Sequence, residues 1–361
     1  MPDRDLPLDR PLALGQTIAC ANQKGGVGKT TTVVNLAAYL ALEGRRVLLV
    51  DLDPQGNATS GLGVDRRQVH RSIYDAFVDD VPLQDLVVST PVQGLRLVPA
   101  AIGLAGAEVE LAPLPQRERR LARLVDGVTD AYDYVFFDCP PSLGLLTVNA
   151  LTAADSVVVP LQCEYYALEG LTQLIATLNL VRDHLNPRLE VKGIVLTMYD
   201  ARTNLSADVA AEVRRHFGSK VFETLIPRSI RLSEAPSFGL PICLYRPESP
   251  GALAYRALAR ELLEREGVVP GSSTGNRGAA AEGLSQPSAS PPIAGPDDAR
   301  RHASDAPGTG STRPSATPAA SHPPVPHADP PSVATLSELA GAADAPPPPV
   351  VRGADFAGGR A

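Results

Sequence analysis

Six short, largely β-branched apolar runs punctuate the first three quarters of the chain: Thr17 to Ala21, Val47 to Asp51, Tyr134 to Asp138, Ser156 to Pro160, Val191 to Met198 and Val221 to Ile226. Longer amphipathic stretches with helical periodicity lie between and after them, at Thr30 to Leu42, Gln116 to Asp126, Ala167 to His184, Ser206 to Phe217 and Gly251 to Glu266. Strands separated by helical lengths predict an α/β fold, a doubly wound and mostly parallel sheet with helices on both faces. In the last helix Leu253, Ala257, Leu258 and Leu262 are expected to form one apolar stripe that packs on the sheet and closes the fold.

Composition changes abruptly near Pro270. Residues 269–361 carry 17 of the 35 prolines, no lysine, and Phe356 as their single aromatic. Such a segment buries too little apolar surface to offset its ordering entropy, so it reads as a disordered tail. Within it, Val333, Leu336 and Leu339 stand at helical spacing, which suits either an Ala-rich linker or a segment that folds on a partner. The expected organisation is a flexible extension over 1–16, one globular α/β domain over 17–268, and the tail over 269–361.

A net charge of −7 creates no global field for nucleic acid or anionic lipid, so binding to either requires a local patch. The four cysteines form no CxxC pair, which argues against a zinc site or a disulfide framework and fits a reduced, cytoplasmic compartment. No stretch approaches the roughly 20 apolar residues of a spanning helix.

Chemistry concentrates at strand ends. After the first strand stands Lys24-Gly25-Gly26-Val27-Gly28-Lys29-Thr30-Thr31, a phosphate loop with Gln23 where the usual first glycine would be. Glycine amides approach phosphate closely, and the following helix N-terminus adds positive potential. Lys29 is expected to bridge the β- and γ-phosphates of ATP, the amides of residues 26–31 to cradle the oxygens, and the Thr30 hydroxyl to ligate Mg²⁺. Lys24 is so near Lys29 that the two repel unless both face additional negative charge, such as shared phosphates.

The second strand ends in Asp51-Leu52-Asp53-Pro54, with both carboxylates on one side if the strand continues that far. The third strand ends in Asp138, as a Walker B acid does, positioned to hold Mg²⁺ through water. Cys139-Pro140-Pro141-Ser142-Leu143-Gly144 then forms a rigid turn suited to sensing a γ-phosphate. Asp133, at that strand's start, reads as solvated.

Four blocks resemble the chromosome-partitioning ATPases of the ParA/Soj type, within the ParA/MinD superfamily. They are Ala21 to Thr32, Asp51 to Gly61, Asp138 to Gly144, and Ile226 to Pro236. The resemblance spans nearly all of Thr17 to Glu266. It implies a slow, Mg²⁺-dependent ATPase whose ATP-bound form is a sandwich homodimer, with Lys24 reaching the partner subunit's nucleotide. It assigns Asp53 to orienting the attacking water and Asp51 to the Mg²⁺ shell, a division the spacing only permits. It further implies nonspecific binding of nucleoid DNA, and a ParB-type centromere-binding protein that stimulates hydrolysis and release.

Arg202 and Arg231 match positions where the family carries DNA-contacting arginines, and Arg228, Arg214, Arg215 and Lys220 extend that patch, although Arg214 and Arg215 also suit a solvated helix face. Adenine is expected near Met198 and Pro227. Gln162, Glu164, Tyr165, Tyr166 and Glu169 match the family and suit a dimer interface as well as ordinary packing. A MinD-like membrane-positioning ATPase shares the phosphate loop, but it calls for a basic amphipathic C-terminal helix where this chain is Pro-rich and slightly acidic. An iron-protein reductase needs paired cluster cysteines, and a noncatalytic scaffold has no use for Asp53.

Overall fold

The computed structural model describes residues 15–268. A seven-stranded sheet forms its centre, built from β1 (Gln16–Cys20), β2 (Val47–Asp51), β3 (Val88–Ser89), β4 (Leu95–Val98), β5 (Tyr134–Asp138), β6 (Ser156–Gln162) and β7 (Glu190–Thr197) in the spatial order β3-β4-β2-β5-β1-β6-β7. All neighbours pair in parallel except β3, which runs antiparallel to β4 at the edge. The doubly wound expectation holds.

Parallel strands need crossover connections, and the helices that supply them bury both faces of the sheet. One face packs Ile18, Leu49, Tyr134 and Phe136 against α1 (Lys29–Leu42) and α11 (Pro250–Arg265). The other packs Leu48, Val50, Val135 and Phe137 against a layer that includes α3 (Ile73–Asp79), α4 (Leu104–Leu111), α5 (Arg120–Val125), α6 (Leu145–Ala153), α7 (Ala167–His184) and α8 (Asn204–Phe217). Three short helices complete the domain: α2 (Asn57–Gly61), α9 (Ile230–Glu234) and α10 (Ile242–Tyr245).

Several expectations are corrected. Val221 to Ile226 is not a strand: Phe222 and Ile226 each donate an N–H to a β7 carbonyl at 2.9 Å, those of Ile194 and Leu196, but the bridges at Val221 and, just beyond the stretch, between Tyr199 and Pro227 stay isolated. The N–H groups of Glu223 and Thr224 instead donate to the Glu261 carboxylate of α11, at 2.7 and 2.9 Å, which turns this stretch away from ladder pairing. Gln116 to Asp126 is interrupted, because Gln116 is left-handed (φ 54°) and a 3₁₀ turn at Arg117–Arg119 precedes α5. In α11 the buried face is Ala252, Tyr255, Leu258, Ala259 and Leu262, whereas Leu253 and Ala257 are exposed. Asp133 is not solvated. It is buried and accepts from the Arg46 N–H at 2.7 Å and the Arg46 guanidinium at 2.9 Å, tying the starts of β2 and β5.

At the same edge of the sheet, where strands begin, Glu266 joins α11 to two strands. Its carboxylate accepts from the Tyr134 hydroxyl and pairs with Lys192, whose ammonium also donates to Gln16 Oε1 at 2.7 Å. Gln16, expected in a flexible extension, is thus part of the sheet. The tail over 269–361 and its Val333–Leu339 pattern lie outside the described residues.

Candidate nucleotide site at the strand ends

Parallel strands deliver β1, β5 and β2 side by side, and register places Cys20, Asp138 and Asp51 in one row across their C-terminal ends. Residues paired in register point to the same face, here the face covered by α1. The phosphate loop leaves β1 directly from that row.

The loop has the backbone that glycine allows. Gly26 and Gly28 take φ of 75° and 89°, the left-handed region that residues with a Cβ avoid, and Gly28 caps α1 so that Lys29 opens the helix. Its ends are fastened from outside. The Asn22 amide donates to the Pro160 carbonyl at 2.7 Å while its oxygen accepts from the Lys24 N–H at 3.0 Å. The buried Thr197 hydroxyl, at the end of β7, donates to the Val27 carbonyl at 2.8 Å.

Both lysines have partners within the chain. The Lys29 ammonium donates to the Lys24 carbonyl at 3.1 Å, curling back along the loop. Burial pulls its pKa down, against the raising influence of Cys20, Asp138, Cys139 and Asp53. The Lys24 ammonium pairs with Glu164, in the turn that leads from β6 into α7.

The three acids differ sharply. Asp138 is fully buried, and neither of its oxygens has a hydrogen-bond partner. Burial, then the neighbouring Asp51, push its pKa well up; the Thr30 hydroxyl and Lys29 lie close enough to draw it back, though neither makes a directed bond to it. Asp51, equally buried, accepts three N–H or O–H donors: the Asp53 N–H at 3.1 Å, the Thr59 N–H at 2.8 Å and the Thr59 hydroxyl at 2.6 Å. Burial raises it to about 6 despite those donors. The strand ends at Asp51, so Asp53 does not continue the alternation. It sits in a turn instead, one carboxylate oxygen accepting from the Gln55 N–H at 2.9 Å and its carbonyl from the Gly56 N–H at 2.8 Å.

Asp138 is an orphaned polar group of the kind a cation would satisfy. An unpaired buried carboxylate is costly, and two free oxygens beside a Thr hydroxyl form a hard-oxygen donor set of the kind magnesium prefers. Asp51 has about one lone-pair site left and suits a water of such an ion rather than the ion itself.

Met198 and Pro227 are brought together by the Tyr199–Pro227 bridge and the hydrogen bond from the Arg228 N–H to the Tyr199 carbonyl at 3.0 Å. Met198 is left-handed at φ 51°, a costly conformation for a residue with a Cβ and one that accumulates at functional sites. Tyr165 and Tyr166 are exposed and stack edge to face at 5.1 Å. Among the arginines, Arg202 is paired in fork geometry with Asp200, at 2.9 and 2.7 Å, and Arg231 with Glu234 at 2.7 Å. Arg228 is exposed and makes no ion pair among the described residues, while Arg214 donates to the Glu223 carbonyl and Arg215 pairs with Glu212. Cys20, Cys139, Cys163 and Cys243 are all free and buried. No described helix is long and apolar enough to cross a membrane.

Thr59, Thr197, Asn22 and Glu108 escape sequence reasoning. Glu108 of α4 accepts from the Leu146 N–H at 3.2 Å, and a Cβ on Gly144 would fall 2.2 Å from its carboxylate, so α4 braces the loop after Asp138. Threonines and a lone glutamate have no spacing that marks them; they become visible only when distant loops meet.

Comparison with known proteins bears on the whole described region. An AAA domain family model matches residues 15–191. The sporulation initiation inhibitor protein Soj of Bacillus subtilis is 59% identical over 249 residues, 69% of this chain and 98% of that protein. The chromosome partitioning protein ParA of Myxococcus xanthus is 55% identical over 253 residues, 70% of this chain and 89% of that one. Among solved structures, cobyrinic acid a,c-diamide synthase from Mycobacterium smegmatis, with bound ATP analog and magnesium, is 42% identical at a TM-score of 0.62 and covers 70% of this chain and 96% of its own.

Proposed function

Because this chain belongs to the Soj/ParA family of chromosome-partitioning proteins, we propose that it is an ATP-dependent DNA-partitioning ATPase. The observation that carries the reading is the buried, donorless Asp138 carboxylate in register with Asp51 beside Lys29. A buried carboxylate without donors either keeps a proton or takes up a cation, and beside Lys29 and the phosphate loop a metal would complete it.

Lys24, Gly25, Gly26, Val27, Gly28, Lys29, Thr30 and Thr31 cradle the phosphates of ATP, and Met198 and Pro227 wall the adenine. Thr30, with Asp138 and Asp51 through water, would hold Mg²⁺, which would neutralise charge on the β- and γ-phosphates. Asp53 orients the attacking water; phosphoryl transfer needs placement and charge stabilisation more than a strong base. Lys29 leaves the Lys24 carbonyl for phosphate, and Lys24 leaves Glu164 for the nucleotide of a second subunit.

The resulting ATP-bound homodimer doubles the Arg202, Arg228 and Arg231 patch, and phosphate contacts multiplied in this way switch nonspecific DNA binding on. A ParB-type protein then stimulates hydrolysis and release. The protein works in the cytoplasm, associated with the nucleoid and independent of membrane.

DNA co-sedimentation with ATP, with ADP and without nucleotide, over a salt series and with liposomes in parallel, tests this reading. ATP-specific, salt-sensitive DNA binding is expected; liposome binding instead would favour the MinD-like alternative. Hydrolysis of ATP without any acid or amine acceptor separates the reading from the amide synthesis named for the M. smegmatis structure.

A further inference from the structure

Thr59 is fully buried in α2, and its hydroxyl is held by two groups of fixed character. The Ala100 N–H can only donate, and it donates to Thr59 Oγ1 at 2.9 Å. The one hydroxyl proton is therefore committed to Asp51 Oδ2, 2.6 Å away, where the Thr59 N–H also lands at 2.8 Å. Asp51 Oδ1 in turn accepts the Asp53 N–H at 3.1 Å. With Asp51 ionised, the bonds run Ala100 to Thr59 to Asp51, and Asp53 to Asp51, with one possible direction at each step. They join the loop after β4, the start of α2 and the end of β2.

We propose that Thr59 is a positioning residue for ATP hydrolysis: by locking the Asp51 carboxylate it fixes the backbone of Asp53, and with it the carboxylate that orients water. The inference rests on the role given to Asp53 above. Asp53 lies beyond the last strand residue, so the ladder does not hold it. What holds its main chain is the bond to Asp51 and the turn closed by Gln55 and Gly56. Without the Thr59 hydroxyl, the N–H of residue 59 alone holds Asp51 Oδ2, the carboxylate gains freedom to rotate about that single bond, and the acceptor of the Asp53 N–H is no longer fixed. Displacements of about 1 Å in a positioning group cost up to about a hundredfold in rate.

A role in folding alone makes different demands on the side chain. Valine keeps the branched shape and deletes only the hydroxyl, and serine keeps the hydroxyl and deletes the methyl. The full-length wild type, Thr59→Val, Thr59→Ser and Asp53→Ala are compared for kcat and KM with Mg²⁺ and ATP, for the Kd of a fluorescent ATP analogue, and for thermal midpoint. The expected result is a kcat about tenfold or more lower in Thr59→Val, a Kd within about twofold, and recovery to within about threefold in Thr59→Ser. Wild-type kcat in Thr59→Val, or a Thr59→Ser as slow as the valine variant, overturns the proposal. If Thr59→Val is too unstable to assay, Thr59→Cys replaces it; its weakly donating thiol should lower kcat with Kd retained, and an undiminished kcat there overturns the proposal as well. Undiminished turnover in Asp53→Ala removes the role of Asp53 itself, whereas a dead Asp53→Ala beside a fully active Thr59→Val removes Thr59 alone.

Discussion

The ammonium of Lys24 is paired with the carboxylate of Glu164 in the same chain, so the lysine proposed to reach a second subunit's nucleotide begins engaged at home. The two side chains are 39% and 33% exposed, a setting in which an ion pair contributes about 1 kcal/mol or less. That is enough to oppose premature engagement and too little to prevent it once phosphate arrives. Glu164→Gln should therefore move ATP-driven dimerisation to lower ATP concentration by at most about fivefold, read by size-exclusion chromatography with light scattering. Lys24→Ala should leave the protein monomeric at every ATP concentration, and dimers from that variant would dissociate Lys24 from the interface.

Asp51 and Asp138 give the ligand-free protein a pH dependence of definite sign. Burial, foremost, raises both, so the folded state keeps protons that the unfolded chain has already released. Stability then falls as pH climbs from the unfolded value near 3.8 through about 6 for Asp51, and the fall continues higher through Asp138. Asp138→Asn should melt several degrees above the wild type at pH 8 without nucleotide, with a flatter pH profile, because a buried uncompensated charge is gone. Mg²⁺ with ATP should stabilise the wild type and add little to the variant; thermal melts from pH 5 to 8 check both.

Arg228 and Arg202 should contribute unequally to DNA binding. Arg202 must first give up a bidentate acid, Asp200, whereas exposed Arg228 makes no ion pair among the described residues. Arg228→Ala is expected to lower DNA affinity more than Arg202→Ala and to reduce the salt slope by about one per lost phosphate contact. Fluorescence anisotropy over a salt series measures it, and equal losses from the two variants count against this ranking.

Thr197→Val removes the donor to the Val27 carbonyl and leaves a buried acceptor unpaired, which costs about 1 to 3 kcal/mol. The phosphate loop should hold its shape less well, with ADP affinity weaker by roughly tenfold in calorimetry. Unchanged affinity would show that the loop keeps its form without β7.

Much of this architecture is legible in the chain because burial on both faces leaves a periodic trace. Helix α7 is found at its residues, Ala167 to His184, since eighteen positions average out local exceptions. Strand β4 is four residues long and β3 only two, too short for periodicity to register. Val221 to Ile226 misleads because its composition is that of a strand, while Glu261 takes the Glu223 and Thr224 N–H groups and breaks the pairing between Phe222 and Ile226. At the site, Lys29, Thr30 and Asp138 are marked by spacing around one strand end each. The conversion of Asp51 into a hub held by Thr59 depends on the seven residues between them folding back, and no local pattern encodes that return.

The knot of Glu266, Tyr134, Lys192 and Gln16 stands at the edge where strands begin, and Val268, the last described residue, leaves the fold beside it. The phosphate loop, Asp138 and the Glu164–Lys24 pair all lie at the other edge. A fluorophore attached at position 268 therefore stands a strand's length from the phosphate loop and from the Lys24–Glu164 pair.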